Sequence, residues 1–189
     1  MADTRDGRPH RWINSKQAGA TAFVTTTCLD FVHTFRREEM RDLAARSIVR
    51  DARRYEALLH CYVVMPHHLH FLITCPEEKN ISWLVQRMKT NLATLALPEL
   101  TPEELSEFDQ QRELNKRSFW KPSFRGTEIS STKAFYQKAL YVHLNPVRAG
   151  YVDEPGNYRW SSRRFWDSGL YDLERGLDLG QVLSILTTE

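Results

Sequence analysis

Two apolar runs with only Pro66 and His67 between them constrain this chain more than any other feature. Glu56–Met65 (EALLHCYVVM) and His68–Cys75 (HLHFLITC) each have the length and side-chain type of a strand. So short a junction makes them a hairpin, even without an Asn-Gly turn. Upstream, Thr21–Leu29 (TAFVTTTCL) reads as another strand. Phe35–Arg54 follows as an amphipathic helix, with Met40, Leu43, Ala44, Ile48 and Ala52 apolar at helical spacing. Downstream, Asn80–Leu97 carries Ile81, Leu84, Val85, Met88, Leu92 and Leu95 and reads as a second helix. Ser118–Ile129 yields a fourth strand near its end. Ser131 or Thr132 caps a third helix that runs to about Asn145, ahead of Pro146. The order β-α-β-β-α-β, then α, predicts an α+β fold: a ferredoxin-like four-stranded antiparallel sheet with helices on one face, plus an additional helix.

Composition sets the outer bounds. At 189 residues, 41% hydrophobic and 11% aromatic, the chain has material for one cored domain. No window approaches the ~18 apolar residues of a spanning helix, and mean hydropathy is -0.52. Its polar, charged start lacks the apolar stretch of a secretory signal, so no membrane association and a cytoplasmic location are expected. Cys28, Cys61 and Cys75 show no CxxC spacing and are expected to be free thiols. Net charge is only +2, but its distribution is uneven. Residues 98–109 hold five acids and no base, and residues 112–125 hold five bases against Glu113. Either run is compatible with a solvated surface. Residues 1–19 read as an N-terminal arm, 20–166 as the main domain and 167–189 as a C-terminal extension, in which Leu177–Leu186 is weakly helical.

Three groups of residues could carry chemistry. His68 and His70 lie two apart on a strand, so their imidazoles project from the same face while Leu69 and Phe71 point the other way. Such a pair suits two metal ligands, short of a full shell; it equally fits two half-exposed strand histidines. On the third helix, Phe135, Ala139 and Val142 form an apolar stripe, whereas Lys138, Tyr141 and Asn145 share another face. A phenol beside an ammonium, with a carboxamide one turn on, is the makings of a nucleophile and a positioning group. Packing for Tyr141 and an N-cap role for Asn145 before Pro146 also fit. Finally, aromatics alternate with bases in Phe119–Arg125 (FWKPSFR) and Tyr158–Trp166 (YRWSSRRFW). That mixture suits single-stranded nucleic acid, or core aromatics flanked by surface charge.

Taken together, VVMPHHLHFLI, LYVHLNPVRAGYV and YRWSS resemble the REP-associated tyrosine transposases, small single-tyrosine members of the HUH nuclease superfamily related to IS200. The similarity runs from about Ala20 to Trp166. It implies that His68 and His70 hold a divalent metal, Mg²⁺ or Mn²⁺, with Asn145 as third ligand, and that Tyr141 is the nucleophile. It implies a metal-dependent endonuclease and strand transferase acting on single-stranded DNA next to hairpins through a 5′-phosphotyrosine. Lys121, Arg125, Arg148, Trp160, Arg163 and Arg164 are then the candidate DNA contacts. His67 is either a bystander or an extra ligand, and His143 falls on another helix face. Metal affinity is expected to fall below about pH 6 as imidazole protonates. The resemblance allows a homodimer that trades tyrosine helices as well as a monomer. A non-cleaving DNA-binding protein derived from a transposase is the alternative. A two-histidine phosphoesterase fits poorly, since His70-Phe71-Leu72 breaks its His-x-Thr/Ser pattern and no second copy exists.

Overall fold

The computed structural model describes residues 17–107 and 119–188. Four strands, β1 (Thr21–Thr27), β2 (Leu58–Met65), β3 (His68–Thr74) and β4 (Arg125–Glu128), form one sheet in the order β2-β3-β1-β4. Every neighbouring pair is antiparallel. This is the predicted ferredoxin-like order, and β3 is central, hydrogen-bonded on both sides.

Period-two alternation divides the sheet into two faces. Leu69, Phe71 and Ile73 of β3, with Val24 and Val64, join a core closed by α1 (Glu38–Arg54) and α2 (Ile81–Ala96). Met40, Ala44, Ile48 and Ala52 of α1 and Ile81, Leu84, Val85, Met88 and Leu92 of α2 supply its helical side, as their spacing predicted. Phe23, Cys61, Val63, Met65 and Leu72 face the other way, onto Phe135, Ala139 and Val142 of α3 (Thr132–Arg148). The tyrosine-bearing helix thus covers the face opposite α1 and α2.

Helix starts follow local chemistry. Asn80 accepts a hydrogen bond from the Trp83 N–H at 3.0 Å, and Ser131 accepts one from Ala134 at 3.2 Å. The first helix begins at Glu38 rather than Phe35, whose ring is fully buried instead. The third helix does not stop before Pro146 but continues to Arg148. Proline removes one N–H, that serving the Val142 carbonyl. Burial of Pro146 together with Phe135, Ala139 and Val142 along one stripe offsets that loss. The consequence is that Asn145 sits inside the helix, not at the cap of a following turn.

Residues beyond 166 pack into the same core. A two-stranded hairpin, β5 (Tyr171–Asp172) and β6 (Gly176–Leu177), leads to α5 (Leu179–Thr188), after the short α4 (Arg163–Asp167). Val182 and Leu186 of α5 are buried with the residues of α1. Gly176 has φ +73, and a Cβ there would lie 2.8 Å from the Leu59 carbonyl oxygen, so only glycine lets the hairpin lie this close to β2. All three cysteines are buried and free. No helix among the described residues is long and apolar enough to cross a membrane.

Candidate active site

The β1–β3 register sets Thr25 opposite His70 and Thr27 opposite His68, so both histidines and both threonines face α3. His70 is 4% exposed, and its Nδ1 lies 2.9 Å from the Thr25 hydroxyl. When Thr25 accepts from Nδ1–H, the lone pair is left on Nε2, the tautomer a metal requires. The rings of His68 and His70 are 4.6 Å apart. Buried Nδ1 of His68 has no hydrogen-bond partner within the protein, and the Asn145 carboxamide hydrogen-bonds to this imidazole.

The helix brings the rest. Tyr141 places its ring edge-on against His70, with centroids 5.3 Å apart, while Phe23 packs against both, 5.5 Å from His70 and 5.6 Å from Tyr141. Lys138, Tyr141, Asn145 and Arg148 lie along one helical face. The Lys138 ammonium is 5.9 Å from the Tyr141 ring centre and the Arg148 guanidinium 5.4 Å. Two cations therefore flank the phenol.

Burial governs the electrostatics. It pushes His68 down to about 4, aided by the neighbouring His67 and opposed by the Asn145 hydrogen bond. It pushes His70 down to about 3, aided by His68 and Lys138. Both imidazoles are thus neutral, with lone pairs available, well below pH 6. Among the described residues no group of three or more His, Cys, Asp or Glu side chains is arranged to hold a metal.

Next to this centre lies a groove of about 480 Å³ lined by Thr25, Thr27, Phe31, Lys121 and Arg125, among others. Arg125 pairs with Thr25 across β1 and β4, on the histidine side of the sheet. Lys121, Arg125 and Arg148 are thus gathered around the site. His67 stacks on His33, with centroids 5.2 Å apart, and touches His68 at 4.5 Å.

The second aromatic-basic stretch is used differently. Val64 N–H donates to Trp160 O at 2.9 Å, Ser162 N–H donates to Tyr62 O at 3.0 Å, and Tyr158 Oη donates to Val64 O at 2.9 Å. Residues 158–162 thereby cover the outer edge of β2. The Trp160 indole N–H donates to Asp42 at 2.8 Å, and Arg41 lies 3.8 Å over its ring. Arg163 pairs with Asp167 at 2.6 Å, and Arg164 lies over Phe165. His143, on another face of α3 as expected, bonds Ser162 Oγ at 3.1 Å. In the first stretch, Phe119 and Trp120 are core residues, and Trp120 donates to Lys89 O at 2.8 Å. The acidic run is also more than a solvated surface. Thr101 and Glu104 cap residues 102–107 reciprocally, and buried Glu104 pairs with Arg36 and Arg37 at 3.5 and 3.1 Å. Asp109, Arg112, Lys116 and Arg117 lie outside the described residues.

Sequence reasoning missed Thr25. Its only signal is a position in the TTT run of β1, and nothing in one sequence gives the register that sets it against His70. It also missed the pairing of Arg148 with Tyr141, because the helix was expected to end earlier.

Residues 31–143 match the family model described as "Transposase IS200 like". A protein of Haemophilus influenzae described as a REP-associated tyrosine transposase is 26% identical over 110 residues, 57% of this chain and 58% of that one. The REP-associated tyrosine transposase of Escherichia coli is 23% identical over 121 residues, 61% of each. The chain thus matches less than two thirds of these relatives' lengths. The solved structure of a REP-associated tyrosine transposase bound to a REP hairpin superposes with a TM-score of 0.60 over 95% of this chain and 93% of that one, at 21% identity, a likeness of fold. The family match spans more than half of the sequence and takes in β3 and Tyr141, ending at residue 143 within α3, and on that ground the chain belongs to the IS200-like transposases.

Proposed function

We propose that this protein cuts and rejoins single-stranded DNA next to hairpins, with Tyr141 as the nucleophile and a divalent metal held by His68, His70 and Asn145. The observation that carries the reading is the edge contact of Tyr141 with His70, made between two elements far apart in the chain. The donor set fits the metal: two imidazoles kept neutral by burial, one fixed by Thr25, and a carboxamide beside the other. Imidazole donors suit divalent first-row transition ions better than Mg²⁺. When bound, the ion supplies charge neutralisation at the scissile phosphate.

The remaining work falls to the chain. Tyr141 gives up its proton to solvent as it attacks, with the Lys138 and Arg148 cations near its ring facing the phosphate charge. Its oxygen attacks phosphorus in line; the bond to the 3′ oxygen breaks, and that oxygen leaves as a 3′-hydroxyl after taking a proton. The 5′-phosphotyrosine keeps the phosphodiester's energy, so a later 3′-hydroxyl can reverse the step and join new ends. Lys121 and Arg125 line the groove that would carry the strand.

The test is covalent capture. With Mn²⁺ and a 3′-labelled strand carrying the cognate hairpin, the wild type should acquire label, whereas a 5′-labelled strand should give only a shorter free product. Tyr141→Phe should form no adduct and still bind DNA. Cleavage by that variant, or an adduct mapped to exposed Tyr136, would assign the nucleophile elsewhere.

A further inference from the structure

We propose that Phe31 is a stacking platform for one unpaired base of the bound strand, and that Lys121 neutralises a phosphate next to that base. The inference rests on the proposed single-stranded substrate and adds a residue that the resemblance did not point to.

Phe31 is 56% exposed, while Leu29 and Phe35 on either side are in the core. Its backbone sits at φ +61, a left-handed conformation that bulky residues avoid. A strained backbone that leaves a large apolar ring more than half exposed gains little burial in return. Outliers of this kind concentrate where a ligand is met. The ring lines the 480 Å³ groove with Thr25, Thr27, Lys121 and Arg125. A run of ring contacts ties it to the active centre: Phe31 meets His67 edge-on at 5.7 Å, His67 meets His68 at 4.5 Å, and His68 meets His70 at 4.6 Å. The Lys121 ammonium lies 3.3 Å from the Phe31 ring centre. With Lys121 over the ring and His67 in a T-shaped contact with it, more than half of Phe31 is still exposed to the groove.

The chemistry selects the occupant. Every base offers a π-face to a flat apolar ring, and the Lys121 and Arg125 cations in the same groove suit a phosphate backbone. In a duplex the faces are already stacked on one another, so this site takes an unpaired base.

The probe is a fluorescein-labelled DNA hairpin with a single-stranded tail, compared by anisotropy with the same hairpin made blunt. Phe31→Ala should weaken binding of the tailed hairpin by about tenfold, within what one base–aromatic stack contributes. Its salt dependence should not change, and it should bind the blunt hairpin like wild type. Phe31→Trp should restore the tailed preference. Lys121→Ala should instead flatten the salt slope, by about 0.7 for one phosphate on a single strand. Equal affinity of Phe31→Ala and wild type for the tailed hairpin would overturn the platform while leaving the proposed function in place. Equal weakening for both probes, or loss of a dimer on sedimentation, would overturn it by making the ring a structural or interface residue. A wild type that binds neither probe would overturn the proposed function along with it.

Discussion

At the scale of single residues, the site depends on groups that burial keeps in the right protonation state. His68 and His70 accept a proton only near pH 4 and 3, because an imidazolium in their surroundings would be poorly solvated. A proton competes with a metal for the same lone pair. Competition therefore sets in lower than the ordinary imidazole value suggests, and the sequence-based expectation of weakening below pH 6 is moved down by burial. Mn²⁺ affinity, measured by calorimetry on folded protein, should hold from pH 7 to about pH 5 and vanish towards pH 4. His68→Ala should show no specific site at any of these values, and an unaltered isotherm would dismiss the assignment. Bound metal should raise the melting temperature of wild type and not of that variant. Tyr141→Phe should leave stability within about 1.5 kcal/mol of wild type, since at most one hydrogen bond is lost and the stripe of Phe135, Ala139 and Val142 is untouched.

Among the elements, the edge of β2 has the most at stake. An uncovered strand edge exposes unpaired N–H and C=O groups. Here the Trp160–Ser162 segment takes them up, and Ser162 is its pivot. Its hydroxyl receives the Tyr62 N–H at 2.9 Å and meets His143 Nε2 at 3.1 Å, joining β2 to α3. Ser162→Ala would leave both buried partners unsatisfied. We expect a loss of about 1–3 kcal/mol in urea unfolding, along with slower adduct formation as α3 and Tyr141 loosen from the sheet. Unchanged stability would mean that neither bond contributes. Arg163, engaged by Asp167, should contribute less to the salt dependence of DNA binding than Lys121 or Arg125.

For the whole molecule, the buried histidines couple stability to pH. His60 and His143, 3% and 1% exposed, are both pushed down to about 4 by burial. In the unfolded chain they bind a proton near 6.5, and in the folded one near 4. Between those values the unfolded state holds more protons, so stability rises with pH across the window and is lost as pH falls through it. Each contributes up to about 3 kcal/mol. The urea midpoint should drop steeply from pH 6.5 to pH 4, and His143→Gln should flatten the drop. A midpoint indifferent to pH would show that these rings protonate in place.

Local pattern was enough for the four strands of the main sheet, for the existence of α1, α2 and α3, and for the shared face of His68 and His70. Alternation along His68–Leu69–His70–Phe71 and the stripe of Phe135, Ala139 and Val142 are properties of short segments, and burial enforces them wherever the segment docks. The same pattern placed Lys138, Tyr141 and Asn145 on one helical face. It left open whether the aromatic and basic residues around YRWSS meet DNA or are core aromatics flanked by surface charge, and it gave no sign of their pairing with the edge of β2, which is a long-range contact. Nor could it set Thr25 against His70, carry α3 through Pro146 to bring Arg148 onto Tyr141, or turn Phe31 outward. Those outcomes depend on register, on burial gained across the whole interface, and on groups distant in sequence. One chain read in order holds no direct record of them, and the tertiary structure decides them through the free energy of contacts that exist only once the sheet and α3 have met.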